Sequence, residues 1–117
     1  MRINEIKDIL KAKVLCCETE LENFIVAGGS ADLLNEILYS AAKDAALLTA
    51  SLTVDSVRKA KIVEIGAIII VRGKKIDKKI LDLTRENNIP VLSTDFSLFV
   101  ASGRLYSAGL RGLDGTW

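Results

Sequence analysis

Apolar and polar positions follow two rhythms along this chain, and the places where one gives way to the other mark its elements. Ile3, Ile6 and Leu10 recur at helical spacing, which predicts a short amphipathic helix over residues 4–12. Val14, Leu15, Cys16 and Cys17 then read as a strand, and residues 18–22 are polar and turn-like. A second strand is predicted over 23–27, ended by Gly28-Gly29. Ser30 follows as an N-cap, with Asp32 in the first turn, where a carboxylate favours the helix dipole. Leu34, Ile37, Leu38 and Ala41 form the inward stripe of that helix.

The pattern then becomes regular. Residues 45–49 read as a short buried strand, Ser51-Leu52-Thr53 offers an N-cap, and a helix runs to about residue 64. Residues 67–71 are apolar at every position, which suits a strand covered on both faces. Arg72-Gly73-Lys74-Lys75 is the turn that follows, and Ile76, Ile80 and Leu83 mark a helix closed by Asn87-Asn88. Residues 89–93 are another strand, with Pro90 at its start, where a missing donor is tolerated. Thr94-Asp95 caps a last helix with the stripe Phe96, Phe99, Val100 and Gly103. Glycines at 109, 112 and 115 predict a loose end from about residue 107. The alternation of strand and helix predicts an α/β fold. It is a three-layer-like architecture with a mostly parallel sheet of about four to five strands flanked by helices, in one domain over residues 1–117.

Parallel sheets bind ligands beyond the carboxyl ends of their strands. Here those ends are Gly28-Gly29-Ser30, Thr49-Ala50-Ser51, Arg72-Gly73-Lys74 and Thr94-Asp95. All are small, polar or glycine-bearing, and they are expected to converge on a common polar hollow. The candidate ligand-binding residues are therefore Gly28, Gly29, Ser30, Thr49, Ser51, Arg72, Gly73, Lys74, Thr94 and Asp95. Gly28-Gly29-Ser30 suits an anion cradle at a helix N-terminus, and equally suits a tight strand-to-helix turn. Arg72 and Lys74 flank Gly73, where they would hold a phosphate or carboxylate. Lys75, Lys78 and Lys79 continue the basic run and also suit a solvated helix face. Thr49, Ser51, Thr94 and Asp95 serve a ligand or cap a helix equally well.

Composition narrows the chemistry. The 117 residues carry 16 Lys+Arg against 15 Asp+Glu, a net charge of +1 that excludes a strongly basic chromatin-type protein and an acidic tail. Histidine is absent, which removes the commonest general base and metal ligand. Aromatic residues make up 5% and no recognition-helix motif occurs, so nucleic acid is not an expected partner. No Gly-x-x-x-x-Gly-Lys-Ser/Thr loop is present. Asp95 is a lone carboxylate at the strand ends, which is not a catalytic set. The chain is predicted not to be an enzyme, with no cofactor and no metal. Cys16 and Cys17 are adjacent, and neighbours on a strand point to opposite faces, so they are expected to be small buried apolar residues that share neither metal nor disulfide. The longest apolar run, residues 65–71, is far short of the roughly 20 residues that span a membrane. With no signal-peptide core at the start, a soluble cytoplasmic protein is expected. Phe96, Phe99 and Tyr106 share much of one helix face, which suits the core or a partner, and self-association is expected from the 50% apolar content.

Several segments resemble a known family. Gly28-Gly29-Ser30-Ala31-Asp32-Leu33-Leu34, Ala46-Leu47-Leu48-Thr49, Ile68-Ile69-Ile70-Val71-Arg72-Gly73-Lys74 and Ile89-Pro90-Val91-Leu92-Ser93-Thr94-Asp95 are similar to the DRTGG domain, over about residues 3–112. Ser102-Gly103-Arg104-Leu105-Tyr106 with Gly109-Leu110 resembles the end of a stand-alone subgroup, whose members are often encoded near iron-hydrogenase components. The resemblance implies a fold like the amino-terminal domain of HPr kinase/phosphorylase and a tendency to dimerise. It also implies kinship with regulatory segments of phosphate acetyltransferases and CBS-domain pyrophosphatases. The naming motif is altered here. Thr49-Ala50-Ser51-Leu52-Thr53 lacks the Asp-Arg pair, and Val71-Arg72-Gly73 stands where Thr-Gly-Gly would fall. The expected function is a non-enzymatic regulatory or sensor domain, a homodimer binding a small anionic ligand such as a nucleotide or phosphorylated metabolite. The alternative is an adaptor docking onto a redox enzyme system of the hydrogenase type, without a small ligand.

Overall fold

The computed structural model describes residues 1–34 and 42–114. Its helices are α1 (Ile3–Ile9), α2 (Val54–Ile62), α3 (Lys78–Glu86) and α4 (Leu98–Ser107), and its strands are β1 (Lys13–Cys16), β2 (Gly28–Ser30), β3 (Ala46–Thr49), β4 (Ala67–Ile70) and β5 (Val91–Ser93). A 3₁₀ turn covers Glu18–Glu20. The strands form one five-stranded sheet in the order β1-β5-β4-β3-β2. Pairs β2–β3, β3–β4 and β4–β5 are parallel, and β1 closes the far edge antiparallel to β5. The expected α/β architecture with a mostly parallel sheet is present.

The middle strand explains the layers. Ala67, Ile68, Ile69 and Ile70 are all between 0% and 1% exposed, so β4 is covered on both faces. Ala67 and Ile69 pack with Ile3, Ile6, Leu10, Ala101 and Leu105 of α1 and α4. Ile68 and Ile70 pack with Val57, Ala60 and Ile89 on the α2 and α3 side. Each buried isoleucine contributes about 1.5–3 kcal/mol, so this strand anchors the fold. Local chemistry sets the helix starts. The Thr53 hydroxyl accepts from Ser56 N–H at 3.1 Å and caps α2, while the Asp77 carboxylate accepts from Lys79 N–H at 2.8 Å and caps α3. No helix among the described residues is long and apolar enough to cross a membrane.

Four local readings are corrected. Residues 23–27 do not form a strand; they contribute one bridge, Arg2 to Phe24, and Gly28–Ser30 is itself the strand. A Cβ on Gly28 would lie 2.9 Å from Leu110 Cδ2, so the bare backbone admits a close neighbour there. The helix stripe placed on Ile37, Leu38 and Ala41 lies outside the described residues; Leu34 is buried. The last helix is capped by Ser97, whose hydroxyl accepts from Val100 N–H at 3.2 Å, and not by Thr94-Asp95. Its buried residues are Ala101 and Leu105, while Phe99 is 86% exposed. The chain after α4 packs against the sheet as far as Gly112: Leu110 is buried, and Gly28 N–H donates to Arg111 O at 2.9 Å.

The fourth correction concerns the cysteines. Strand geometry stops at Cys16, and Cys17 adopts the left-handed conformation (φ 63°, ψ 47°). That reverses the alternation and brings the two sulfurs to 3.6 Å.

Candidate functional site

Four parallel strands present their carboxyl ends on one edge of the sheet, in the order β5, β4, β3, β2. Neighbouring strands lie about 4.8 Å apart, so the row from β5 to β2 is about 14 Å long. A single phosphate touches one or two strand ends in such a row, whereas an elongated ligand can follow it.

The threonines in this row are not available to a ligand. Thr49 is fully buried, with its hydroxyl 3.0 Å from Asp32 O and 3.1 Å from Ser51 O, and it accepts from Ser51 N–H at 3.3 Å. It ties the exit of β3 to the chain leaving β2, where Leu33 bridges Ser51. Thr94 is equally buried; its hydroxyl donates to Leu10 O at 2.7 Å and accepts from Phe96 N–H at 3.3 Å. Satisfying buried carbonyls is what these hydroxyls do.

The exit of β4 is built differently. Arg72 and Gly73 both have positive φ, 58° and 59°, and Lys74 N–H reaches back to Val71 O at 3.3 Å, the φ signature of a type I′ turn. Arg72 pays about 1 kcal/mol for a left-handed conformation. Its amide donates to Phe96 O at 2.8 Å, and the Gly73 amide donates to Thr94 O at 2.9 Å. The backbone N–H groups of the turn are thus engaged with the loop after β5, so an anion would be gripped by side chains and not by an amide cradle. Glycine suits position 73 on two counts: its φ is 59°, and a Cβ there would lie 2.8 Å from Asp95 Oδ1, so that carboxylate would have to shift.

The side chains around this turn are unspent. Arg72, Lys74, Lys75 and Lys79 are exposed, and none joins an ion pair among the described residues. Lys78 is committed to Asp82 at 2.9 Å. The amino ends of α2 and α3 open on the same edge, because each helix follows a strand exit, and their dipoles add positive potential. Asp95 is exposed and sits against Gly73, within this basic rim.

The ten candidate residues therefore divide. Arg72, Gly73, Lys74 and Asp95 cluster, with Ser51 at the neighbouring strand exit. Gly28, Gly29 and Ser30 lie elsewhere, in a cavity of about 200 Å³ beneath α4, with Leu48, Ser102, Leu105, Tyr106 and Leu110. There the Ser30 and Ser102 hydroxyls are 2.6 Å apart, and Ser102 donates to Leu98 O at 2.7 Å. Thr94 and Asp95 line a third hollow of about 160 Å³ with Leu10, Lys11 and Phe96. Sequence reasoning missed Lys11, Ser102 and Arg111 as lining residues. Arg111 carried the one available signal, a cation between the glycines at 109 and 112.

Curated proteins offer no sequence match to the chain. Eight chains of solved structures match it. One is the crystal structure of the CBS and DRTGG domains of the regulatory region of Clostridium perfringens pyrophosphatase, complexed with its activator, diadenosine tetraphosphate. The two superpose with a TM-score of 0.68 at 17% identity, over 89% of this chain and 45% of that one. At that identity the likeness is one of fold, and this chain spans less than half of that regulatory region. The DRTGG domain pattern matches residues 5–108, nearly the whole length described above, and the chain belongs to the DRTGG domain family.

Proposed function

We propose that this chain is a regulatory domain without catalytic chemistry, which binds a small anionic ligand at the carboxyl edge of its sheet and works as a homodimer. The observation that carries the reading is the β4 exit. A left-handed arginine and an exposed lysine flank a glycine at φ 59°, and neither cation joins an ion pair among the described residues. Strain retained at a polar surface turn is a recurrent mark of a functional site. The two places where the family's naming motif would fall, 49–53 and 71–73, are neighbouring strand exits, so the altered motif and the basic rim share one edge. The related regulatory region was crystallised with an activating dinucleotide polyphosphate, which supports a nucleotide or phosphorylated metabolite as the ligand class here.

Thermal denaturation in the presence of nucleotides, dinucleoside polyphosphates and acyl phosphates tests the reading. Ligand at 100 times its Kd raises stability by about 2.7 kcal/mol. An upward shift is expected with at least one phosphorylated compound and is lost in Arg72→Ala and Lys74→Ala. No shift with any of them at large excess overturns the proposal. Light scattering reads the dimer independently, with a monomer at all concentrations as the contrary result.

A second reading has its own observation. Phe99 is 86% exposed and Val100 41%, beside a groove between α1 and α4 lined by Ile9, Lys11, Gly103 and Arg104. An adaptor that docks onto a redox enzyme would use such a face. It predicts a stoichiometric protein partner on co-purification from the native cell, and loss of that partner in Phe99→Ser.

A further inference from the structure

Cys16 and Cys17 lie at the end of β1, the antiparallel edge strand of the sheet. Cys16 is fully buried, with its thiol 3.3 Å from Ile89 O and 3.5 Å from Thr84 Oγ1. Cys17 is half-buried, and its left-handed backbone folds its side chain back so that its thiol donates toward Cys16 Sγ at 3.6 Å. A residue other than glycine in this conformation costs about 1 kcal/mol, so the approach of the two sulfurs is held by the turn and is not a relaxed strand geometry.

The separation discriminates between the things two thiols can do. A disulfide needs its sulfurs at about 2.05 Å and its Cα atoms usually more than about 4.4 Å apart, whereas neighbours across a trans peptide sit about 3.8 Å apart, so a bond between these two would be strained. A linear two-coordinate metal ion with bonds of about 2.3 Å would need sulfurs about 4.6 Å apart. A pyramidal or tetrahedral centre with the same bonds and an angle of roughly 100° needs about 3.5 Å. The observed 3.6 Å falls on the last. Zinc would require further protein ligands, and among the described residues no cluster of three or more Cys, Asp or Glu able to hold a metal exists. What remains is a centre satisfied by two thiolates and one small ligand of its own.

We propose that Cys16 and Cys17 form a chelating site for a trivalent thiophilic metalloid of the arsenous-acid class. Binding is a ligand exchange without redox change. Two As–O bonds and two S–H bonds break, two As–S bonds form, each departing hydroxide takes a thiol proton, and two waters leave while one hydroxyl stays on arsenic. The surroundings suit such a reactant. Cys17 is half-buried and opens onto the 3₁₀ turn that carries Glu18 and Glu20. Arsenous acid is a neutral molecule that brings its own leaving hydroxides. It also passes the carboxylates of Glu18 and Glu20 without repulsion, whereas anionic thiol reagents are repelled. The apolar neighbours Leu15, Val91 and Ile89 keep water from the As–S bonds.

The test uses the whole chain with arsenite and with phenylarsine oxide. Native mass spectrometry is expected to show one arsenic per chain, with the half-buried Cys17 thiol lost to a maleimide reagent. X-ray absorption is expected to show two sulfurs on arsenic. The complex should resist a monothiol and yield to a dithiol competitor. Cys17→Ser should weaken binding by about a hundredfold or more, the usual advantage of two tethered ligands over one. Cys17→Ala repeats the test without a hydroxyl, and circular dichroism verifies its fold, so loss of binding cannot be mistaken for unfolding. Unchanged binding in Cys17→Ser or Cys17→Ala, one sulfur per arsenic, or a complex of two chains per arsenic overturns the proposal.

Discussion

The exits of β3 and β4 lie side by side, and both carry small polar residues, yet they use them in opposite ways. At the β3 exit, Thr49 is fully buried and its hydroxyl is consumed by Asp32 O, Ser51 O and Ser51 N–H. At the β4 exit the backbone is equally well bonded, but Arg72 and Lys74 reach into solvent with no ion-pair partner among the described residues. One exit spends its polar atoms on closing the fold. The other keeps them and accepts left-handed strain to do so. The exits therefore do not form a broad polar hollow to which every strand end contributes: the β3 exit is a bonded frame, and the exposed cations gather at the β4 exit, the grip of the proposed function.

The sharpest way to break this contrast is at Gly73. A side chain there meets Asp95 Oδ1 at 2.8 Å and must also hold φ at 59°. Gly73→Val is expected to destabilise by about 3 kcal/mol, combining left-handed strain with a steric shift. Urea denaturation measures it. A loss below about 0.5 kcal/mol would mean that the turn has a second, unstrained arrangement.

Next in size is the pair that separates frame from grip. Thr94→Val leaves Leu10 O and Phe96 N–H without the hydroxyl that serves both, a cost of about 2 kcal/mol. Thermal melting is expected to show that loss, while the stabilisation produced by a phosphorylated ligand is retained. Lys74→Ala should do the reverse, leaving the melting point nearly unchanged and removing the ligand response. If both substitutions weaken ligand binding equally, Thr94 touches the ligand and belongs to the grip as well as the frame.

How much of this was legible in the sequence follows from where each determinant lies. The central strand was readable because burial on both faces leaves an unbroken apolar run, Ala67 through Val71, that no surface element imitates. The caps at Thr53 and Asn87 were readable because their partners are local. Thr94 was misread because its partner, Leu10 O, is 84 residues away, and nothing near Thr94 reveals it. The strand Gly28–Ser30 was hidden for a different reason: an edge strand of two glycines and a serine has no hydrophobic pattern, and only the packed Leu110 shows why it is bare. On α4 the large apolar residue is outside and the small one inside, Phe99 against Ala101, so ranking by hydrophobicity chose the wrong face. The cysteine geometry depends on one backbone dihedral at Cys17, which residue type does not encode. As for the site, residue types placed Arg72, Gly73, Lys74 and Asp95 at strand exits, which the structure shows to adjoin, and marked the other strand exits equally, because a cap and a ligand contact draw on the same residues.

The smallest effect is the most informative about purpose. Arg72 occupies a left-handed position that glycine fills without strain. Arg72→Gly relieves about 1 kcal/mol of strain and gives back part of it through the greater freedom of the unfolded chain, so a net gain of about 0.5 kcal/mol is expected. For a domain of this size that is roughly a 2–4 °C rise in melting temperature. The same substitution removes the guanidinium, so the response to phosphorylated ligands should fall while stability rises. A residue kept only for folding cannot show that combination. If Arg72→Gly melts lower than the parent chain, the side chain has a stabilising partner within the fold, and the β4 exit joins the β3 exit as part of the frame.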